Sequence, residues 1–161
     1  MKTLKDLLEH HLKDLFSAEN QLIDALPKAV NKASDSMLKQ AFEDHLQETK
    51  EHKRRLQEIC GDLEISPNGE TCKAMKGLIS ETESFIEEAN DDEVMDAGLI
   101  AEAQRFEHYE IAAYGTAVRY AKELGYDNIA RKLQETLDEE YNANNKLNKL
   151  AENRLNRKAV N

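Results

Sequence analysis

Leu4, Leu8, Leu12, Leu15, Leu22 and Leu26 recur at spacings of three, four and seven residues, the stripe of an amphipathic helix. The pattern predicts a first helix over residues 1–33. Pro27 falls late in it and is expected to kink that helix or end its regular part, because proline lacks an N–H and crowds the preceding turn. Ser34-Asp35-Ser36 offers capping groups for a second helix over 35–60. Leu38, Ala41, Phe42, His45, Thr49, His52, Leu56 and Ile59 share one side of it, and Cys60-Gly61 is its expected stop. Asp62 to Glu70, which includes Ser66-Pro67-Asn68-Gly69, reads as a linker. Thr71 is then the expected cap of a short helix through Met75, Leu78, Ile79, Phe85 and Ile86, making 61–91 linker plus short helix. Asn90-Asp91-Asp92 opens a third long helix over 92–124, ended by Gly125 as a C-cap glycine. A fourth starts at Asp127 and carries Ile129, Leu133, Leu137, Leu147 and Leu150 to residue 155, with 156–161 expected to fray.

Helices one and two are joined tightly, as are three and four, while the second connection must run back along the bundle. Two hairpins linked by one long crossover is ferritin-like connectivity. The expectation is one all-α domain over 1–161: an antiparallel four-helix bundle with a short extra helix in the crossover between helices two and three. Composition agrees: 34% of residues are charged and 40% hydrophobic, with six glycines, two prolines and no tryptophan. β-Branched and aromatic residues are too sparse to build a sheet.

Charge then narrows the function. The net charge of −10, from 32 acidic and 22 basic residues, repels phosphate backbones and argues against nucleic-acid binding. No apolar run approaches the roughly 20 residues that span a bilayer, so a membrane role is not expected. Met1-Lys2-Thr3-Leu4 leads straight into the helical pattern without an apolar leader, which points to the cytoplasm. In that setting Cys60 and Cys72 are expected to be free thiols.

Acids stand where leucines belong. At about 100° per residue, Glu19 lies within about 20° of Leu8, Leu12 and Leu26. Glu107 and Glu110 straddle the stripe of Ile100, Ala103, Ile111, Tyr114 and Val118, and Glu140 shares the face of Ile129, Leu133, Leu147 and Ala151. Glu139 points about 100° away and reads as surface. On the second helix His45 and His52 are central, Glu48 lies at the edge beside Ala41 and Ile59, and Glu51 is further out. Arg105 and Arg119 fall away from the Glu107 direction, and no arginine or lysine is expected at a matching core position. An unpaired ionised carboxylate in a protein interior is very costly. Divalent cations, which take carboxylate and imidazole ligands, are therefore the expected counter-charge. His10, His11 and His108 read as surface or boundary residues, and Tyr114 as core packing that could also donate to a ligand.

Those same residues carry a resemblance. Ser17-Ala18-Glu19, His45-Leu46-Gln47-Glu48-Thr49, Cys72-Lys73-Ala74-Met75 with Gly77-Leu78-Ile79, Glu107-His108-Tyr109-Glu110-Ile111-Ala112 with Tyr114-Gly115-Thr116, and Leu137-Asp138-Glu139-Glu140 resemble the bacterial YciE/YciF-type ferritin-like proteins. The pieces follow the right order from about Leu4 to Leu150. The resemblance implies a stress-associated bundle with a dinuclear metal centre related to those of rubrerythrins and ferritins. It would make Glu19 and Glu107 terminal ligands, Glu48 and Glu140 bridging ones, and Glu110 the extra glutamate of the rubrerythrin third helix.

One departure matters. The usual pattern places histidine three residues after the bridging glutamate, but here those positions are Glu51 and Ala143. His45 and His52 are the nearest histidines, and Asn144 stands where the family often has aspartate. The expected cofactor is two divalent ions, iron first with manganese or zinc as alternatives, in a carboxylate-rich site. Oxygen or peroxide is the expected substrate, with no catalytic residues beyond the metal ligands. A homodimer fits the family and the apolar residues on the short helix. The competing expectations are a metal-stabilised stress protein without turnover and a metal-free interaction module. Rubredoxin-type Cys-x-x-Cys pairs are missing from the sequence, so any reductant would be external.

Overall fold

The computed structural model describes residues 1–160, apart from the Asn153 side chain. It contains five substantial helices: α1 (Leu4–Lys32), α2 (Ser36–Asp62), α3 (Lys73–Glu88), α4 (Asp92–Glu123) and α5 (Asp127–Leu150). No strand occurs among the described residues. The chain is an all-α, ferritin-like antiparallel bundle. Its hairpins α1–α2 and α4–α5 pack against each other, and α3 lies in the crossover against α1 and α4.

Local chemistry sets the helix ends. Thr3 and Asp6 form a reciprocal capping box at the start of α1. The Asp35 carboxylate accepts from the N–H groups of Met37 and Leu38, and Asp91 does the same for Glu93 and Val94. After α4 the N–H of Tyr126 bonds the Ala121 carbonyl and that of Gly125 bonds Lys122, a Schellman turn with Gly125 at φ +72°. The turn after α2 repeats those bonds, Ile65 to Cys60 and Glu64 to Gly61, but a glutamate occupies its left-handed position at φ +57°. The α1–α2 turn is clamped from α4 by buried Asp96, which accepts from both N–H and hydroxyl of Ser34 and from the N–H of Asp35.

Several expectations are corrected. Pro27 does not end α1, which runs five residues further with Pro27 on its exposed side. α2 continues past Cys60-Gly61 to Asp62. Cys72 rather than Thr71 caps α3, its sulfur accepting from the Met75 N–H. Residues 156–158, expected to fray, are helical and held, while Asn161 lies outside the described residues. A π-helical turn over Ala151–Leu155 leads into Asn156–Lys158, Leu155 is buried, and Arg154 and Lys158 pair with Asp35. The apolar residues of α3 are not a free surface either, because Leu78, Ile79 and Phe85 pack against neighbouring helices. Phe85 approaches α4 so closely that a β-carbon on Gly98 would fall 1.9 Å from its ring.

Apolar layers close both ends of the bundle. Leu8, Leu12, Leu56, Ile59, Val118 and Leu133 belong to one, and Leu38, Phe42, Ile100, Ala103, Leu147 and Leu155 to the other. Between them every long helix turns a polar residue inward.

Candidate metal centre

Glu19 on α1, His45 and His52 on α2, Glu107 and Glu110 on α4, and Glu140 on α5 are all buried, with Glu19, Glu110 and Glu140 fully enclosed. They form two donor sets. His45, Glu107, Glu110 and Glu140 each offer an atom within 4.8 Å of the others, and Glu19, His52 and Glu140 do the same. Glu140 belongs to both. Ligand oxygens and nitrogens stand about 2.0–2.2 Å from a small divalent ion, hence no more than about 4.4 Å apart. Each set is thus within a few tenths of an ångström of enclosing one ion.

Hydrogen bonding tests whether the residues fit a metal. Nine buried side-chain atoms have no hydrogen-bond partner among the described residues, and all belong to these six side chains. Both nitrogens of His45 and both oxygens of Glu110 and Glu140 are among them. Buried polar atoms are nearly always satisfied, so a concentration of orphans on six converging side chains calls for cationic partners. Carboxylates and imidazoles are donors for iron, manganese or zinc. The residues fit.

Without cations, protons carry the balance. Burial pushes the Glu19 carboxyl up to about 8, with the neighbouring Glu140 adding to it. Glu107 and Glu110 are raised well above the ordinary range, first by burial and then by Glu140. Burial pulls the His52 imidazole down, but Glu139, Glu140 and Glu19 outweigh it and raise the group to about 10. Burial alone would raise Glu140, yet the adjacent His52 imidazolium holds it below the usual value. His52 Nδ1 lies 2.9 Å from Glu140 Oε1 and 3.8 Å from Glu19 Oε1. The imidazolium occupies the charge role that a metal ion would take.

Two residues that sequence phase sets aside complete this side. Glu139, read as surface, is only 32% exposed and accepts from His52 Nε2 at 2.9 Å. Arg55, expected to be absent from the core, is buried and donates to Glu139 at 2.8 Å and to Thr136 at 2.5 Å. His52 and Arg55 hold the Glu139 carboxyl down at about 2. Arg55 follows His52 by three residues, so its helical phase is the signal in the sequence that turns it toward the core.

The remaining predicted residues divide. Tyr114, fully buried, donates a hydrogen bond to Glu19. Asn144 accepts from Gln104 at 3.2 Å and joins neither donor set. Glu48 is also outside both sets, 3.7 Å from Lys146 Nζ and 3.8 Å from His45 Nδ1. Glu51 pairs with Arg54 on the surface. Cys60 and Cys72 are free, as expected, and both are buried.

A family model described as a domain of unknown function, DUF892, matches residues 3–160. The chain belongs to the DUF892 family. This DUF892 protein is 44% identical over 162 residues to protein YciF of Escherichia coli K12, covering all of this chain and 98% of YciF. The crystal structure of the E. coli stress protein YciF superposes with a TM-score of 0.93 over 97% of this chain and 99% of that one. YcfI from Rhodopseudomonas palustris, also 44% identical, gives 0.90 over 92% and 94% of the two chains. A Xanthomonas campestris protein at 20% identity shares the fold alone, with a TM-score of 0.76 over 93% of this chain and 92% of that one. The DUF892 chain is therefore a homologue of a stress protein, with buried acidic and imidazole groups able to hold metal. No helix among its described residues is long and apolar enough to cross a membrane.

Proposed function

We propose that this chain is a dinuclear metal protein, with iron the first choice of ion, that reacts with peroxide or dioxygen under stress. The observation carrying the reading is the set of nine buried atoms that make no hydrogen bond, all on six side chains that converge on one carboxylate. Glu19 and His52 would hold one ion, His45, Glu107 and Glu110 the other, and Glu140 both. When bound, a ferrous pair supplies the two electrons that, with two protons, convert peroxide to two waters.

The protein's own part is positional. Glu139 fixes the His52 ring through Nε2, which leaves Nδ1 aimed at Glu140 and Glu19. Tyr114 fixes one oxygen of Glu19. The apolar layers at either end keep bulk water from the carboxylates, which strengthens their hold on a cation. The E. coli relative is described as a stress protein, which supports the physiological setting.

Anaerobic reconstitution with Fe(II), elemental analysis and stopped-flow mixing with peroxide test this reading. The expected result is two irons per chain, an absorbance change on mixing and consumption of peroxide. Two bound ions with no absorbance change and no peroxide consumed would leave a metal-stabilised stress protein. No bound metal would reject the centre itself.

A further inference from the structure

A cavity of about 10 Å³ lies between α2 and α5, with His45 and Glu107 among its lining residues. Ala143 also lines it, at the position where the usual di-iron pattern places a histidine. An alanine there leaves a space of about one water, and neither nitrogen of the adjacent His45 makes a hydrogen bond, although Glu107 lies 3.3 Å from Nε2 and Glu48 3.8 Å from Nδ1. Exposed Lys146 and half-buried Glu48, 3.7 Å apart, contribute to the same cavity. Beyond them an open groove of about 580 Å³ shares Ala41 and Lys146 with the cavity and runs toward Met37 and Leu150. The sequence of spaces is groove, ion pair, small cavity, ligand.

We propose that the gap at Ala143, closed outward by the Glu48–Lys146 pair, is the port through which cations and then a two-atom oxidant reach the His45 side of the centre. This rests on the dinuclear reading above and adds to it the route and its gate. Size decides what passes. The cavity has room for about one water, so peroxide or dioxygen, with two heavy atoms, needs Glu48 to swing away. Lys146 opposes a cation twice: its ammonium repels the incoming charge, and it holds the Glu48 carboxylate outside the donor set. An ion seated on the His45 side reverses that preference, because a divalent charge attracts Glu48 more strongly than one exposed ammonium does. Organic hydroperoxides with bulky groups are excluded at Ala41 and Ala143.

The test is the rate of Co(II) uptake by the full chain, followed by stopped-flow d–d absorption, with stoichiometry read at equilibrium. Ala143→Leu fills the cavity and is expected to slow loading by about tenfold while two ions still bind. Ala101→Leu, the same change on the exposed face of α4, is expected to load at the wild-type rate. Lys146→Ala is expected to load several-fold faster, with a weaker dependence on salt. Wild-type rates in both Ala143→Leu and Lys146→Ala overturn the port while leaving the metal centre standing. If Ala143→Leu loses its helical circular dichroism, the faster or unchanged loading of Lys146→Ala decides. A wild-type protein that binds no Co(II) overturns the port and the dinuclear reading together.

Discussion

His45 and His52 lie two turns apart on α2 and approach the same shared carboxylate, yet they are held in opposite ways. His52 is gripped. Its Nε2 meets Glu139, its Nδ1 faces Glu140, and Arg55, itself anchored on Thr136, braces Glu139 from behind. His45 makes no hydrogen bond at either nitrogen, only an approach of 3.3 Å from Nε2 to Glu107, and it faces a cavity with Glu48 half outside. A single centre thus has a braced half and a loose half. Orientation fixed in advance favours tight, permanent occupancy. A ring without a fixed tautomer beside an opening suits exchange of ions and access for small molecules.

The largest expected effect breaks the link between the halves. Glu140→Ala removes the only side chain in both donor sets. The His52 half keeps two donors, the His45 half three, so bound ions are expected to fall from two per chain to one. The stabilisation by added metal should drop by about 4 kcal/mol where free cation is a thousandfold above Kd. Elemental analysis and thermal melts with and without metal measure both. Two ions retained would show that Glu140 does not join the halves.

Acidity probes the braced half next. In the metal-free protein Glu19 titrates at about 8 and His52 at about 10, both above their ordinary values. From pH 4.5 to about 8 for Glu19, and from 6.5 to about 10 for His52, the native state binds more protons than the unfolded chain, so stability falls as pH rises. Glu139, at about 2, acts in the other direction, and its contribution is lost only as acid approaches that value. The metal-free melting temperature is therefore expected to drop by about 10 °C from pH 5 to pH 9. Loaded with two ions, which replace those protons, the protein should show no such drop. A metal-free melt that is flat over this range would mean that the buried groups are not proton-bound.

Much of this was legible in the sequence, for a definable reason. The turn per residue in a helix is rigid, so the leucine stripes locate the helices, and phase alone puts Glu19, Glu107, Glu110 and Glu140 inside, where they are buried. Phase says less about long side chains near the boundary. Glu139 starts about 100° from the core face and still reaches His52, while Glu48 turns to Lys146 instead of the donor sets. Arg55 adds nothing to the apolar stripe of α2, and its bonds to Glu139 and Thr136 account for its burial. The segment after Leu150 is held by one buried leucine and two cations on Asp35, which leave no periodic trace in the sequence.

Glu139→Gln sharpens the comparison from the second sphere. The amide keeps the size but loses the charge that holds His52 and Arg55. Affinity for the ion on the His52 side is expected to fall about 10–100-fold, with the other ion unchanged. Isothermal titration should then show the tighter His52-side site weakened toward the His45-side one, whose own affinity does not change. Equal weakening of both ions would argue that Glu139 supports the bundle rather than His52.

The smallest change tests a single hydrogen bond. Tyr114 is fully buried and donates to one oxygen of Glu19, whose other oxygen has no partner. Tyr114→Phe removes only the hydroxyl, leaving that carboxyl without any donor, and is expected to cost about 1 kcal/mol in the metal-free protein. Binding an ion gives Glu19 a stronger partner, so the penalty should shrink when the His52 side is filled. The variant's melting temperature should consequently lie below wild type without metal and close to it with metal. If the deficit is the same in both states, the hydroxyl serves packing alone, and the braced half ends at His52 and Glu139. If loading with metal widens the deficit, Tyr114 holds Glu19 in its ligand position, and the bracing extends from α5 across the bundle to α4.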